Sequence, residues 1–337
     1  MSDIAVLVLN WNGRRWLEPC FNALLQQTEL DFETWLVDNG SHDDSVELVQ
    51  ARFPWVRTLE LGQNLGFGAA YNRAIQVVHA PHIVLLNNDT IVQPGWLEAL
   101  VHEMRAHPET AAVGSKLLYL DQPTIINHAG GRLTPLGAAF DVAFGCVDAP
   151  DFDRIRTVGC VTGAAMLVRR DALLQVGAFD ERYFAYFEDA DLCWRFWLRG
   201  YTVRYQPGAR VLHAYGGSTG SGRESTFRIR HCQTNRLQNM LKHLEPTTLA
   251  WALPASLAYD AMKVVDYLTS ARPRAAIAVA HGTRAFLRLV PDLLAERSRI
   301  QRTRMLSDAA LFHLGVLATL PEAAREWRRL TRLGAHG

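Results

Sequence analysis

The 337 residues are 49% hydrophobic and 20% charged, with 24 glycines and 14 prolines, which excludes disorder, collagen-like repeats and coiled coil. Lys and Arg total 35 against 34 Asp and Glu, so no whole-protein field for nucleic acid exists and no nucleic-acid partner is expected. The cysteines Cys20, Cys146, Cys160, Cys193 and Cys232 are odd in number, widely spaced and without a CxxC pair. That excludes a disulfide framework and a thiolate zinc site, and fits reduced cytoplasmic thiols.

No apolar run reaches the roughly 18 uncharged residues of a membrane span. The opening MSDIAVLVLN has neither a basic n-region nor a cleavage site, so no signal peptide is expected. Ile4–Leu9 is a continuous aliphatic run, as in a strand buried on both faces of a parallel sheet. Residues 15–27 have helical spacing at Trp16, Cys20, Leu24 and Gln27. Strands are predicted over 32–37, 56–61, 82–87 and 111–118, alternating with helices over 45–52, 69–79 and 96–106. This alternation predicts an α/β protein with a doubly wound sheet. Periodicity fades over residues 119–157, then strands at 158–169 and 202–209 flank a helix at 189–199.

Beyond residue 222 only helices are predicted, over 227–243, 247–269, 274–300 and 307–333, punctuated by Pro246, Pro273, Pro291 and Pro321. Residues 269–337 hold twelve Arg, no Lys and five acids, a net +7 that leaves −6 for the rest. Within them Phe286, Leu287, Leu289 and Val290 alternate with Arg284 and Arg288. Basic amphipathic helices of this kind suit a membrane surface, an oligomer interface or packing on the preceding domain.

In open α/β sheets ligands bind beyond the carboxyl ends of the strands. Four successive strand ends deliver Asn10-Trp11-Asn12-Gly13, Asp38-Asn39-Gly40-Ser41, the stretch from Gly62 to Asn72, and Asn87-Asn88-Asp89-Thr90. VDNGS fits an Asx turn as well as a ligand contact. Gly66 and Gly68 either turn the chain or let a phosphate approach the backbone. No GxGxxG follows the first strand and no GxxxxGK[ST] occurs, which argues against a dinucleotide dehydrogenase or a P-loop enzyme. Asp89, ending the apolar run HIVLL, suits either a helix cap or one carboxylate of a Mg²⁺ or Mn²⁺ site completed by nucleotide phosphates. Asp180, Glu181, Glu188, Asp189 and Asp191 crowd among aromatics, as either an acidic helix start or a carboxylate tuned to general-base work. His213, before Tyr215, Gly216 and Gly217, is by itself as consistent with a structural histidine as with a ligand.

The ordered set VDNGSHDDS, NLGFGAAYN, LLNNDT, VTGAAMLVRR, VGAFDERYFAYFEDADLCWR and VLHAYGGS resembles the family-2 inverting glycosyltransferases with a GT-A fold. The likeness is greatest to their bacterial rhamnosyltransferase-like branch and covers residues 1–220. It implies a GT-A catalytic domain over 1–222, with a nucleotide-sugar half (1–118) and an acceptor half (119–222). A helical region follows over 223–337. The fold class is then a doubly wound mixed α/β sheet followed by helices.

The resemblance also implies site roles. Asp38 meets the nucleotide base, with Asn10 and Trp11 as a wall; Asn64, Gly66, Phe67 and Asn88 line the nucleotide-sugar pocket; Gly163 lies against the sugar or acceptor. Asp89 holds the metal, Mg²⁺ or Mn²⁺, with His213. The motif usually written DxD reads Asn87-Asn88-Asp89 here, leaving one metal-facing carboxylate. Asp189 is the catalytic base, with Glu188 beside it. The implied reaction is a hexosyl transfer from a nucleoside diphosphate sugar, dTDP-rhamnose first and a UDP-sugar second. The acceptor is a glycan or polyprenyl-linked molecule of cell-wall or other cell-surface polysaccharide synthesis, met in the cytoplasm or peripherally on the inner membrane face. Two other readings are a nucleotidyltransferase-like enzyme, which predicts a Lys-rich phosphate loop after the first strand, and a non-catalytic membrane-surface assembly protein, which predicts erosion of Asp89 or Asp189. Neither feature is present.

Overall fold

A computed structural model describes residues 2–27, 31–215 and 225–334; residues 216–218 of VLHAYGGS lie outside these. The first half runs β1 (Ile4–Asn10), α1 (Arg14–Leu25), β2 (Glu33–Asp38), α2 (Ser45–Arg52), β3 (Arg57–Glu60), α3 (Phe67–Val77) and β4 (His82–Asn87). Then come β5 (Thr90–Val92), α4 (Trp96–Ala106), β6 (Thr110–Tyr119), β7 (Ile126–His128), β8 (Gly131–Leu133), β9 (Ala139–Asp141), β10 (Arg156–Thr157), β11 (Ala165–Arg169), α5 (Arg170–Gln175), α6 (Glu188–Leu198) and β12 (Thr202–His213). The chain finishes with α7 (Thr226–His243), α8 (Pro246–Thr269), α9 (Pro273–Arg302), α10 (Asp308–His313) and α11 (Leu320–Gly334).

The main sheet has the order β10-β12-β6-β11-β4-β1-β2-β3. Strands β3, β2, β1 and β4 are mutually parallel, whereas β11 runs antiparallel to both β4 and β6. Strand β1 shows why its run is apolar throughout. Ala5 and Leu7 join the core under α3, while Ile4, Val6 and Val8 join a second core under α1 and α4.

Three differences from the sequence expectation have physical causes. The strand expected over 158–169 is confined to β11. The segment before it leaves the ladder, and Val161 packs where Gly114 has no side chain: a Cβ there would meet Val161 at 2.4 Å. The single helix expected over 307–333 is split into α10 and α11. Between them Gly315 adopts φ +70, and the chain pairs with β8, Leu133 N–H donating to the Val316 carbonyl at 3.0 Å and Ala318 N–H to the Leu133 carbonyl at 2.8 Å. Pro291 does not break α9, whereas Pro246, Pro273 and Pro321 occupy first turns, where a missing N–H costs nothing.

Helix α7 is buried despite its polar sequence, because its amides are used as fasteners. Asn239 Nδ2 donates to the Gly137 carbonyl at 3.0 Å, and Tyr183 donates its hydroxyl hydrogen to Asn239 Oδ1 at 2.6 Å. The approach requires glycine at 137: φ is +79, and a Cβ would sit 1.8 Å from the Arg236 carbonyl oxygen.

Candidate active site

The ends of β1, β2 and β4 are joined through one amide. Asn10 is fully buried, its Nδ2 donating to Asp38 Oδ1 at 3.1 Å and to Ser41 Oγ at 3.0 Å; its Oδ1 accepts from Asn88 Nδ2 at 2.6 Å. Asp38 Oδ2 accepts the backbone N–H groups of Gly40 and Ser41, so the Asx turn forms and also fixes the carboxylate. Beside it lies an open cleft of about 390 Å³ lined by Asp38, Gly40, Ser41, Glu60 and Gly62. Trp11, 38% exposed, does not line this cleft. Asn64 accepts from Asn39 Nδ2 at 3.0 Å and from Gly66 N–H at 2.9 Å, which shapes the loop entering α3.

Position 66 requires glycine, because φ is +84 and a Cβ would lie 2.5 Å from the Phe184 carbonyl oxygen, which accepts the Phe67 N–H at 2.9 Å. The Phe67 ring packs on Tyr71 and Phe179 and lies over Gly163, so it is a floor rather than an open wall. Gly163 N–H in turn donates to Asp189 Oδ2 at 3.1 Å. Phe67, Gly163 and Asp189, far apart in sequence, thus form one contact chain.

A second convergence joins β4, β5 and β12. Antiparallel pairing aligns Thr90 with His213, which brings His213 Nε2 to 3.3 Å from Asp89 Oδ1. Asn127, on β7, accepts from His213 Nδ1 at 2.9 Å. Asn127 takes up Nδ1, which leaves Nε2 as the ring atom facing the Asp89 carboxylate. Two ligands of one cation, each near 2.1 Å from it, lie about 3 Å apart, so the pair fits a shared divalent ion. Among the described residues no group of three His, Cys, Asp or Glu could hold a metal alone. Asp89 and His213 could therefore hold only part of a coordination shell, and phosphate oxygens would have to supply the rest.

Helix α6 opens with the two acids. Tyr186 and Phe187 precede it at φ +70 and +67, an unfavourable pair of conformations for such side chains. Asn235 of α7 holds that turn, its Nδ2 donating to the Ala185 and Tyr186 carbonyls at 2.9 and 2.7 Å. Glu188 is buried, and burial together with the Asp189 charge pushes its carboxyl well above the usual range. Burial also raises Asp189, but there the Gly163 and Ala190 N–H groups oppose it and favour the carboxylate. Of this pair, Asp189 is the one that combines partial exposure with N–H groups favouring its charged form.

Behind the acids, fully buried Lys242 of α7 reaches Asp180 Oδ2 at 2.7 Å and Asp191 Oδ1 at 2.5 Å, while Arg195 grips Asp191 Oδ2 at 2.6 and 2.9 Å. Burial would raise the Asp191 carboxyl, but Arg195, Lys242 and His243 outweigh it and hold it well below its ordinary value. Lys242→Met is expected to cost about 3 kcal/mol, the low end for a broken buried pair, because Arg195 remains on Asp191. Urea unfolding would read this; a change below about 0.5 kcal/mol, the size of a surface substitution, would mean that the pair contributes little. The linked pH effect has a definite sign. Burial pushes His243 down to about 4, so its contribution is lost as pH falls from 6.5 toward that value. The Asp191 contribution is lost only lower, as pH falls from about 4 through its folded-state value.

The profile described as Glycosyl transferase family 2 matches residues 5–177. A relative from Mycobacterium tuberculosis, N-acetylglucosaminyl-diphospho-decaprenol L-rhamnosyltransferase, is 32% identical over 259 residues, covering 69% of this chain and 83% of the relative. The chain belongs to glycosyl transferase family 2. Two solved structures share the GT-A architecture at 15% identity. GalNAc-T7 with UDP, GalNAc and Mn2+ aligns at TM-score 0.56 over 72% of this chain and 50% of that one. Mannosyltransferase PcManGT from Pyrobaculum calidifontis, in complex with GDP-Man and Mn2+, aligns at 0.52 over 90% and 86%. Membership displaces the nucleotidyltransferase and non-catalytic readings.

Sequence reasoning missed part of this glycosyltransferase's site. Asn127 and His128 belong to β7, in the stretch where periodicity fades. Asn127 orients His213, while His128 Nδ1 is 2.7 Å from Asp141 Oδ1. The charges of His128 and Asp141 are both felt by Asp189, in opposite senses. The available signal was the polar pair Asn127-His128, separated by Ala129 from Gly130 and Gly131, in a region too irregular to assign to a strand.

Proposed function

We propose that this glycosyltransferase moves L-rhamnose, with inversion, from dTDP-rhamnose to a polyprenyl-diphosphate-linked sugar during cell-surface polysaccharide synthesis. A UDP-sugar is the second choice of donor. The observation that carries this reading is the match to a rhamnosyltransferase of lipid-linked N-acetylglucosamine over most of that relative's length. In the proposed reaction Asp189 accepts the proton of the acceptor hydroxyl as its oxygen attacks the anomeric carbon in line. The bond to the nucleoside diphosphate breaks on the opposite face. Gly163 N–H holds Oδ2 of the base, and burial of Glu188, which pushes its carboxyl well above the usual range, disfavours a second charge beside it. Asp38, fixed by Asn10, meets the base or ribose, with Trp11 as a wall and Asn64, Gly66, Phe67 and Asn88 shaping the pocket. A divalent ion, Mg²⁺ or Mn²⁺, held by Asp89 and His213 would neutralise charge on the departing diphosphate.

We assign residues 1–222 to catalysis and 223–337 to a helical region whose first helix braces the turn before Asp189. Among the described residues no helix is long and apolar enough to cross a membrane, and a lipid-linked acceptor would be met peripherally at the inner face. Nucleotide release measured over a donor panel tests the reading. Release of dTDP is expected only with dTDP-rhamnose together with a lipid-linked N-acetylglucosaminyl diphosphate. Turnover only with a lipid-phosphate sugar would overturn it.

A further inference from the structure

Helix α8 is built inside out. Its buried positions are Thr248, Ala252 and Ser256, and its inward polar groups are satisfied by α7. Arg236 Nη1 donates to Ser256 Oγ at 2.7 Å, and Gln233 Nε2 donates to Asp260 Oδ2 at 2.7 Å. The opposite stripe, Trp251, Ala258, Met262 and Val265, repeats at helical spacing and is exposed, Met262 by 62% and Val265 by 59%. Leu257 and Leu268 flank it, equally exposed. A surface helix ordinarily turns its apolar stripe inward, so this one has the wrong face outward for a helix surrounded by water.

Helix α9, packed along α8, continues the pattern in mixed form. Ile277, Leu287 and Leu294 are exposed, and the exposed Arg274, Arg284 and Arg288 are interleaved with them. Residues 261–290 carry Lys263, Arg272, Arg274, Arg284 and Arg288 against Asp266 alone. A second copy packed isologously would set this positive surface against itself. An anionic bilayer is complementary to both features. The apolar stripe enters the acyl boundary while the arginines reach the phosphates.

The location also fits. Val264 and Tyr267 of α8 and Ala275, Ala278 and Val279 of α9 enclose Ile229 of α7. Two residues earlier, Phe227 packs on Phe184 and Tyr186, in the turn that leads to Asp189. The tip of the hairpin and the acceptor-side turn therefore share the first turn of α7.

We propose that the α8–α9 hairpin is the surface by which this glycosyltransferase docks on an anionic lipid bilayer. This deepens the lipid-linked acceptor reading and rests on it only for its purpose, since docking is measured without turnover. Of the three roles open to the basic segment from 269 to 337, it gives the membrane surface to the part in α9 and extends that surface back into α8. The apolar stripe begins before that segment, and the segment's end packs elsewhere: Glu322 pairs with Arg132 at 3.0 Å, and Arg329 donates to the Phe144 carbonyl at 2.7 Å.

The test is flotation of the full chain with phosphatidylglycerol–phosphatidylcholine vesicles at low salt, against pure phosphatidylcholine. Binding is expected to the anionic vesicles alone. Met262→Glu/Val265→Glu should abolish it. Arg274→Ser/Arg284→Ser/Arg288→Ser should weaken partitioning on the order of 100-fold, from about fivefold per arginine. Both variants should keep the wild-type thermal midpoint and any turnover with a water-soluble acceptor. Flotation without any sugar transfer would uphold docking and sink the proposed donor chemistry. No flotation of the wild type, flotation unchanged in both variants, or a dimer in sedimentation that Met262→Glu/Val265→Glu splits without vesicle binding would each overturn the proposal.

Discussion

Asp189→Asn is expected to lower turnover by about 10²–10⁴-fold, the range of general-base help, while donor affinity stays near wild type. The amide keeps the acceptor oxygen for the Gly163 N–H, so the loop it anchors should hold its shape. What is lost is the lone pair that takes the acceptor proton. The pH profile separates this from a packing defect. Burial raises the Asp189 carboxyl, so the acid limb of kcat/KM should have a midpoint above about 4, with activity rising as the carboxylate forms. Asp189→Asn should erase that limb. Glu188→Gln should cost far less, because the amide is nearly isosteric with a carboxyl whose charged form burial already disfavours. Equal, small losses from both substitutions would move the base elsewhere, with Asp191 and Asp180 next to test; their commitment to Lys242 and Arg195 speaks against them.

Asp89→Ala is expected to reduce transfer by about 10²–10³-fold, the loss seen when one preorganised group facing developing charge is removed. The fold should survive, because Asp89 is tied to β12 through its backbone carbonyl, which accepts the Ala214 N–H at 3.0 Å. Excess EDTA should impose a similar loss on the wild type and little further loss on Asp89→Ala, since both remove the same charge. Asn88 cannot replace the missing carboxylate, because its amide is already given to Asn10. Full wild-type activity in excess EDTA would end the assignment of a cation to this pair.

Local pattern determined a large part of this protein. The aliphatic run of β1 required a strand covered on both faces, and the alternation up to Asn87 required parallel crossovers. The glycine- and amide-rich strand ends marked the rim on which Asn10, Asp38, Asn64 and Asp89 lie, since polar groups there have no neighbour in the ladder. Order along the chain of six short motifs was enough to expect the family.

Three things were decided by tertiary contact. Pairing of β5 with β12 brought Asp89 and His213 to 3.3 Å across 124 positions of sequence, and nothing local encodes that register. The brace behind Glu188 and Asp189 is α7, whose Asn235 and Lys242 find their partners in the turn before α6 and on α6 itself, partners that no local pattern supplies. The outward apolar stripe of α8 is the converse case. Its sequence carries both faces, and only the packing of Arg236 and Gln233 against Ser256 and Asp260 decides that the polar one is inside. Periodicity reports that a helix has two faces; the free energy of the partners that cover them chooses which one is buried.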